Sequence, residues 1–202
     1  MHKVFISYHH KNDQWAKDAL TKENEKFHLF YDNSVDLGDI DDVLPSQSVR
    51  RIIRDEYLRD STVTILLVGA ETKKRKHVDW ELYSSMYDGA VNRKSGIVVV
   101  QLPSINPQNV LAANGSDEQG FYPEMKWSPC VDNRSELENS YPFLPDRIID
   151  NLGRTDCKIS ITKWDVIWPN LYYLVKLIDW AYGNRLTNQY DLSRPMMEYN
   201  KK

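Results

Sequence analysis

Thiol chemistry is nearly absent: the 202 residues hold two cysteines, Cys130 and Cys157, 27 positions apart. That spacing fits neither a disulfide framework nor a paired metal-ligand motif, so both are read as ordinary thiols. No apolar run approaches the length of a membrane span, and the opening "MHKVFISYHHKND" holds no secretory apolar segment, so a cytoplasmic protein with no membrane partner is expected. Neither charge dominates. The 26 basic and 29 acidic residues leave a formal charge of -3, too little for a field that attracts nucleic acid, and none is expected as a partner. Glycine is scarce, and "SYHHKND" after the first apolar stretch contains none. A glycine-rich phosphate loop is thereby excluded at that place. No G-x-S-x-G elbow is present, which removes the usual serine-hydrolase signature.

What is present is alternation. Four short segments rich in β-branched or aromatic residues, "KVFISY" 3–8, "HLFY" 28–31, "VTILLV" 63–68 and "IVVVQL" 97–102, read as strands. The last two are continuous apolar runs, as a parallel sheet covered on both faces requires. Helical patterns lie between them. Asn12 or Asp13 is placed to cap a first helix running to about Glu25, with Trp15, Ala19 and Leu20 inward. Pro45 and Ser46 open a second, whose Val49, Ile53 and Tyr57 recur at i,i+4 beside Ile52; a third spans about 79–90. With right-handed crossovers, strand and helix in turn specify an α/β fold, a three-layer sandwich with a central parallel sheet. Six of nine prolines fall between Pro103 and Pro145, which marks 103–156 as an elaborated loop. A fifth strand is expected within 157–164, and a final helix between Pro169 and Gly183, with Leu171, Leu174, Val175 and Ile178 buried. Residues 1–183 thus form one domain, followed by an aperiodic tail, 184–202, suited to a partner contact or to disorder.

In open parallel sheets ligands bind beyond the carboxyl ends of the strands. The residues there are Ser7, Tyr8, His9 and His10 after the first strand and Asp32, Asn33 and Ser34 after the second, with Gly69 and the cationic "KKRK" 73–76 after the third. His9 and His10 lack companion ligands at metal spacing, so no metal site is assigned. Glu81 then draws attention. It lies three positions after Val78, at the border of the apolar face formed by Val78, Leu82 and Met86. An acid in the first turn of a helix is ordinary, because exposed N–H groups favour it. Periodicity alone leaves Glu81 as either such a residue or a shielded carboxylate with a chemical task.

"KVFISYHHKNDQWAKDAL" resembles the first strand and helix of TIR (Toll/interleukin-1 receptor) domains. The run "RIIRDEYLRDSTVTILLVGAETKKRKHVDWELYSSMYDGAVNRKSGIVVVQL" is similar to the bacterial TIR-like branch that includes the ThsB components of Thoeris antiphage systems. The resemblance covers about residues 3–102. It implies a flavodoxin-like sandwich and cleavage of the nicotinamide–ribose bond of NAD, an NAD+ nucleosidase or ADP-ribosyl cyclase activity. It further implies a catalytic Glu81 and a nucleotide pocket shaped by Phe5, Ser7, Asp32, Asn33 and Ser34. By their amphipathic character Tyr8 and Trp80, like Phe5, suit either the lining of that pocket or the core. NAD enters as substrate and no cofactor is implied. The expected partners are a second copy of the chain, a separate effector that reads a cyclic ADP-ribose-type product, and a phage-derived trigger. The alternative within the family is a non-catalytic signalling module acting by homotypic association. Two features depart from the common pattern: His77 stands four before Glu81 where many relatives have Trp, and the covering loop carries five aspartates between Asp32 and Asp42.

Overall fold

The computed structural model describes residues 1–34, 46–90, 92–107, 111–127 and 133–202. The acidic segment 35–45, with Pro45, and Cys130 lie outside the described residues.

Five strands form one sheet: β1 (Lys3–Ser7), β2 (Tyr31–Asp32), β3 (Val63–Val68), β4 (Gly96–Gln101) and β5 (Ser160–Lys163). Their order is β2-β1-β3-β4-β5 and every pairing is parallel. This is the doubly wound order in which the winding direction reverses between β1 and β3, leaving a crevice at their carboxyl ends. There the register sets Ser7 beside Leu66. β2 is shorter than the sequence predicts and starts later. His28 closes the first helix in the left-handed conformation, φ 51°, its N–H bonded to Asn24 O, so the chain is extended only beyond it.

Strand alternation divides the core into two faces. Val4, Ile6, Ile65, Leu67, Val98 and Val100 point to one of them. It is covered by α1 (His10–Phe27) and α8 (Leu171–Asn184), with the short α7 (Trp164–Ile167) alongside. α1 begins at His10, ahead of both predicted caps, and buries Asp13, Ala16 and Leu20. Trp15, expected inward, is 45% exposed and meets Trp164 edge-on at 5.1 Å. The earlier start rotates the buried stripe away from it. In α8 the stripe is Tyr173, Leu174, Leu177, Ile178 and Ala181, which leaves Leu171 and Val175 only partly buried.

α8 lies directly against the sheet at Gly96, where an added Cβ would stand 2.1 Å from the Ala181 carbonyl oxygen. Backbone on both sides makes that contact rigid.

Leu66, Val68, Ile97 and Val99 point to the opposite face, under α3 (Lys76–Met86) and α6 (Asp146–Leu152). Val78, Leu82 and Met86 form the buried stripe of α3. Phe5 belongs to a third cluster with Val49, Ile53, Leu58, Trp80 and Met196. The second helix enters it as α2 (Ser46–Ile52) running into a π turn (Ile53–Tyr57), closed by Leu58 N–H on Ile53 O at 2.8 Å. Widening the turn by one residue shifts the phase, so Leu58 is fully buried while Tyr57, expected on the buried face, is partly exposed. The proline-rich stretch contributes α4 (Ser116–Phe121), α5 (Arg134–Ser140) and α6.

The tail has no regular secondary structure after α8, yet it folds back over α3 and α6. Arg147 of α6 is fully buried and makes a fork to Asp79 of α3, Nε–Oδ1 2.9 Å and Nη2–Oδ2 3.0 Å. The same guanidinium donates to the carbonyls of Arg194 and Pro195 at 3.1 and 3.2 Å. Asp79 Oδ2 in turn accepts Met197 N–H at 2.8 Å. One buried ion pair thus joins two helices and the tail.

Two stability predictions follow from these contacts. Gly96→Ala is expected to lower the unfolding free energy by about 3 kcal/mol in urea denaturation, since the new methyl meets backbone that cannot rotate away. Arg147→Met is expected to cost about 3–5 kcal/mol by leaving Asp79 buried without a counter-charge, with much of that loss recovered in Arg147→Met/Asp79→Leu.

Candidate functional site

The crevice between β1 and β3 is overlain by α3. That helix starts at Lys76, three residues before the sequence suggests, so Asp79 is its first-turn acid and Glu81 falls in the second turn. There Glu81 faces the sheet. Its side chain meets the end of β1, where Ser7 Oγ donates to Glu81 Oε2 at 2.6 Å. Ser7 is 1% and Glu81 2% exposed. One turn further along α3, Ser85 Oγ and Thr64 Oγ1 of β3 are 2.8 Å apart, so the helix is keyed to the sheet by two polar contacts within an apolar layer.

Burial governs the ionisation of Glu81. Removal from water pushes the carboxyl up to about 8, and the Ser7 hydrogen bond pulls the other way. Among the described residues no cationic group contributes to this balance. At pH 7 the closed site therefore holds Glu81 mostly as the neutral acid, with its proton ready to leave once water or a cationic ligand enters.

Around this pair the other expected site residues divide. Phe5 lies two residues before Ser7 on the same strand face and packs with Trp80, which directly precedes Glu81. Trp80 turns its indole N–H to Met197 O at 2.7 Å. Ser34 reaches back to β1, its Oγ accepting Ile6 N–H at 3.1 Å, and Asp32 Oδ1 accepts Ser34 N–H at 2.9 Å. These two hold the chain leaving β2 against the site strand. Asn33 points elsewhere, donating to Arg59 O at 2.6 Å and Ser61 Oγ at 2.8 Å near the start of β3. Tyr8 packs on the opposite sheet face with α1, stacks on His10 at 4.5 Å and donates to Gln14. Ser7, Glu81, Phe5 and Trp80 are gathered; Tyr8 and Asn33 turn away from them.

The "VGAET" segment has a structural task. Gly69 N–H donates to Thr72 Oγ1 at 2.9 Å, and Thr72 Oγ1 donates to Asp13 Oδ2 at 3.2 Å. A Cβ at Gly69 would fall 2.4 Å from the Asp13 carboxylate, so any larger residue there would push that side chain off Thr72. His77 meets Trp80 edge-on at 5.1 Å, so the helix start keeps an aromatic contact at the departure from the common pattern. The "KKRK" cluster is largely paired: Lys74 and Arg75 both reach Glu71, and Lys73 donates to Pro142 O. Among the described residues no group of three or more His, Cys, Asp or Glu is placed to hold a metal ion. No helix among them is long and apolar enough to cross a membrane.

Sequence reasoning missed Asp79, Arg147 and the 194–201 segment, which enclose the site from the side of Trp80. The hint available was the aspartate in "HVDWE", two before Glu81, which reads in the sequence simply as a helix opening.

No curated protein and no solved structure shows a significant match to the chain. Residues 5–107 match the family model described as Thoeris protein ThsB, TIR-like domain. That span runs from the last residues of β1 through β4 and thereby takes in Ser7, Glu81 and the reversal point of the sheet. With five parallel strands in doubly wound order and half of the chain under the match, the protein belongs to the TIR-like domain family of Thoeris ThsB.

Proposed function

We propose that this TIR-like defence protein cleaves the nicotinamide–ribose bond of NAD, with Glu81 as the catalytic carboxylate. The observation that carries the reading is the buried Ser7–Glu81 pair at the carboxyl end of β1, where a doubly wound sheet offers its ligand crevice. As the C1′–N bond breaks, its electron pair leaves with the nicotinamide ring, which departs neutral, and positive charge develops on the ribose. An adjacent carboxylate stabilises that charge, and no second acid is needed for the leaving group. Water then adds at C1′ and releases a proton, giving ADP-ribose. Alternatively, an atom of the same nucleotide closes on C1′ with loss of a proton, giving a cyclic isomer.

Phe5 and Trp80 favour the second outcome, since an apolar wall beside Glu81 keeps water from the cation. The cyclic ADP-ribose-type product would signal to a separate effector after a phage-derived trigger. Self-association of the chain would accompany that trigger. A pair this deeply buried in the closed form fits a protein that waits for such a trigger.

The test incubates the protein with NAD, alone and with lysate of phage-infected cells, and resolves the products by mass. Nicotinamide release is expected in at least one condition, reduced about 10²- to 10³-fold in Glu81→Gln. Absence of release in both would leave the non-catalytic module, and unchanged release by Glu81→Gln would remove Glu81 from the mechanism.

Two pH predictions accompany it. The rate should rise with pH through an apparent pKa near 8, because the ionised form does the stabilising. Ser7→Ala removes the bond that favours that form, so it should move the profile to higher pH and slow the reaction at pH 7 about tenfold per unit of displacement. Folding stability runs the opposite way. A carboxyl raised in the folded state binds its proton more tightly there, so its contribution is fully present below about pH 4.5 and is lost as pH rises toward 8. Glu81→Gln should therefore gain on the wild type by roughly 1.4 kcal/mol per pH unit across that window, read from urea midpoints.

A further inference from the structure

The tail carries one buried side chain between Asp191 and Lys202, and it is placed beside the candidate site. Met196 enters the cluster of Phe5 and Trp80, the residues that flank Ser7 on the strand and Glu81 on the helix. Its neighbour Met197 binds α3 twice by backbone alone: the N–H to Asp79 and the carbonyl to the Trp80 indole. Asn200 Oδ1 accepts Lys76 N–H at 3.0 Å, occupying the open start of the same helix. Lys201 N–H bonds Lys74 O at 2.9 Å, and its ammonium reaches Asp146 at 2.6 Å. Residues 194–201 thus run across the first two turns of α3, touching 76, 79 and 80 in succession on the way to 81.

The hold is uneven for so complete a cover. Buried Arg147 grips the carbonyls of Arg194 and Pro195 at one end. Beyond these and Met196, the segment is fastened by the two Met197 backbone bonds, the Asn200 and Lys201 contacts, and ion pairs that water reaches: Arg194 with Asp150 and Asp146, Lys201 with Asp146. Exposed pairs of this kind contribute about 0–1 kcal/mol each and weaken with salt. The segment forms one wall of a cleft of about 120 Å³ whose other walls include Lys73, Arg75, Asp79 and Asp146. Met is also the side chain that leaves an apolar slot and returns to it with the least shape demand. A single buried side chain, solvent-reached ion pairs along the segment and an adjoining cleft are the marks of a unit that opens locally while the domain stays folded.

We propose that residues 194–201 are an autoinhibitory strap, with Met196 as the plug that closes the Phe5–Trp80 side of the Glu81 site and withdraws before a nucleotide enters. The assignment of the entering ligand rests on the NAD reading; the opening itself does not. When the strap lifts, Trp80 loses the acceptor of its indole N–H and Asp79 exposes one oxygen, so the same movement unlocks the wall of the pocket and admits water to the carboxyl.

The test separates these two layers. In full-length Glu81→Cys protein, alkylation of position 81 by N-ethylmaleimide is followed by site-resolved mass spectrometry, with and without Met196→Asp, which expels the plug by placing a charge in an apolar cluster. Slow labelling is expected with the native strap and labelling at least tenfold faster with Met196→Asp. Faster hydrogen exchange at 194–201 with labelling unchanged overturns the strap. Should Met196→Asp lose its cooperative melting transition, Lys201→Glu decides by the same criterion. It touches only the exposed end at Asp146, and it is expected to speed labelling about threefold; no change overturns the proposal. In the Glu81 background, nicotinamide release should rise in the order wild type, Lys201→Glu, Met196→Asp. Accelerated labelling with no release from any variant refutes NAD cleavage and leaves the strap standing, whereas release with labelling unchanged refutes the strap alone.

Discussion

The fork between Arg147 and Asp79 fixes more of this molecule than any other single contact. A guanidinium and a carboxylate withdrawn from water are tolerable only when nearly every donor and acceptor is used. Here Arg147 spends its remaining donors on two tail carbonyls, and Asp79 accepts a third tail group. Tyr83 places its ring 4.9 Å from the guanidinium carbon, which adds a face to the cage. The start of α3 therefore cannot shift against α6 without stranding a charge. Since Glu81 is two residues from Asp79, the same constraint sets how far that carboxyl reaches toward Ser7.

Around this rigid junction the site is built on a conflict. Stabilising a sugar cation, the task proposed for Glu81, needs an anion, yet among the described residues Glu81 is withdrawn from water with one hydroxyl and no cation beside it. A buried carboxyl with that company relaxes by keeping its proton. The fold thereby holds Glu81 in its neutral form, and an anion becomes available at the end of β1 only with a change of surroundings. Contrast Glu118 on the other side of the sheet. It is equally buried but accepts Asn114 N–H, Ser160 Oγ–H and Tyr173 O–H, so its bonds are committed and it serves as a post for the β5 edge.

Legibility in the sequence followed the kind of interaction. Strands β3 and β4 announced themselves because a doubly covered strand has no polar face to interrupt it, and the layered parallel architecture came from alternation and crossover handedness. The buried stripe of α3 was equally plain. Its start was not, because Arg75 stands at the N-cap with no side-chain capping bond and Asp79 looked like the opening residue. The inward turn of Glu81 depended on that start. Tyr8 and Asn33 lay in the right segments, but one residue along a strand reverses the face, and Asn33 found acceptors next to β3. The tail was opaque for another reason: most of its anchoring is done by main-chain groups of Arg194, Pro195 and Met197, which any residues there would possess, and by a partner, Arg147, hidden in a proline-rich stretch.

The π turn at Ile53–Tyr57 bears on how this chain tolerates change in length. Its Leu58–Ile53 bond spans one residue more than a regular helical turn, so the segment carries a spare residue between α2 and β3. Arg54, drawn inward by that spare residue, is 2% exposed and spends its Nε–H on Asn92 O, a contact that ties the turn to the loop before β4. A one-residue deletion there would be absorbed as a regular α-helical turn, leaving β3 in place and releasing Arg54 to solvent. The register of the sheet is thus insulated from the helix that feeds it, and the link between that helix and the β4 loop is the part exposed to loss.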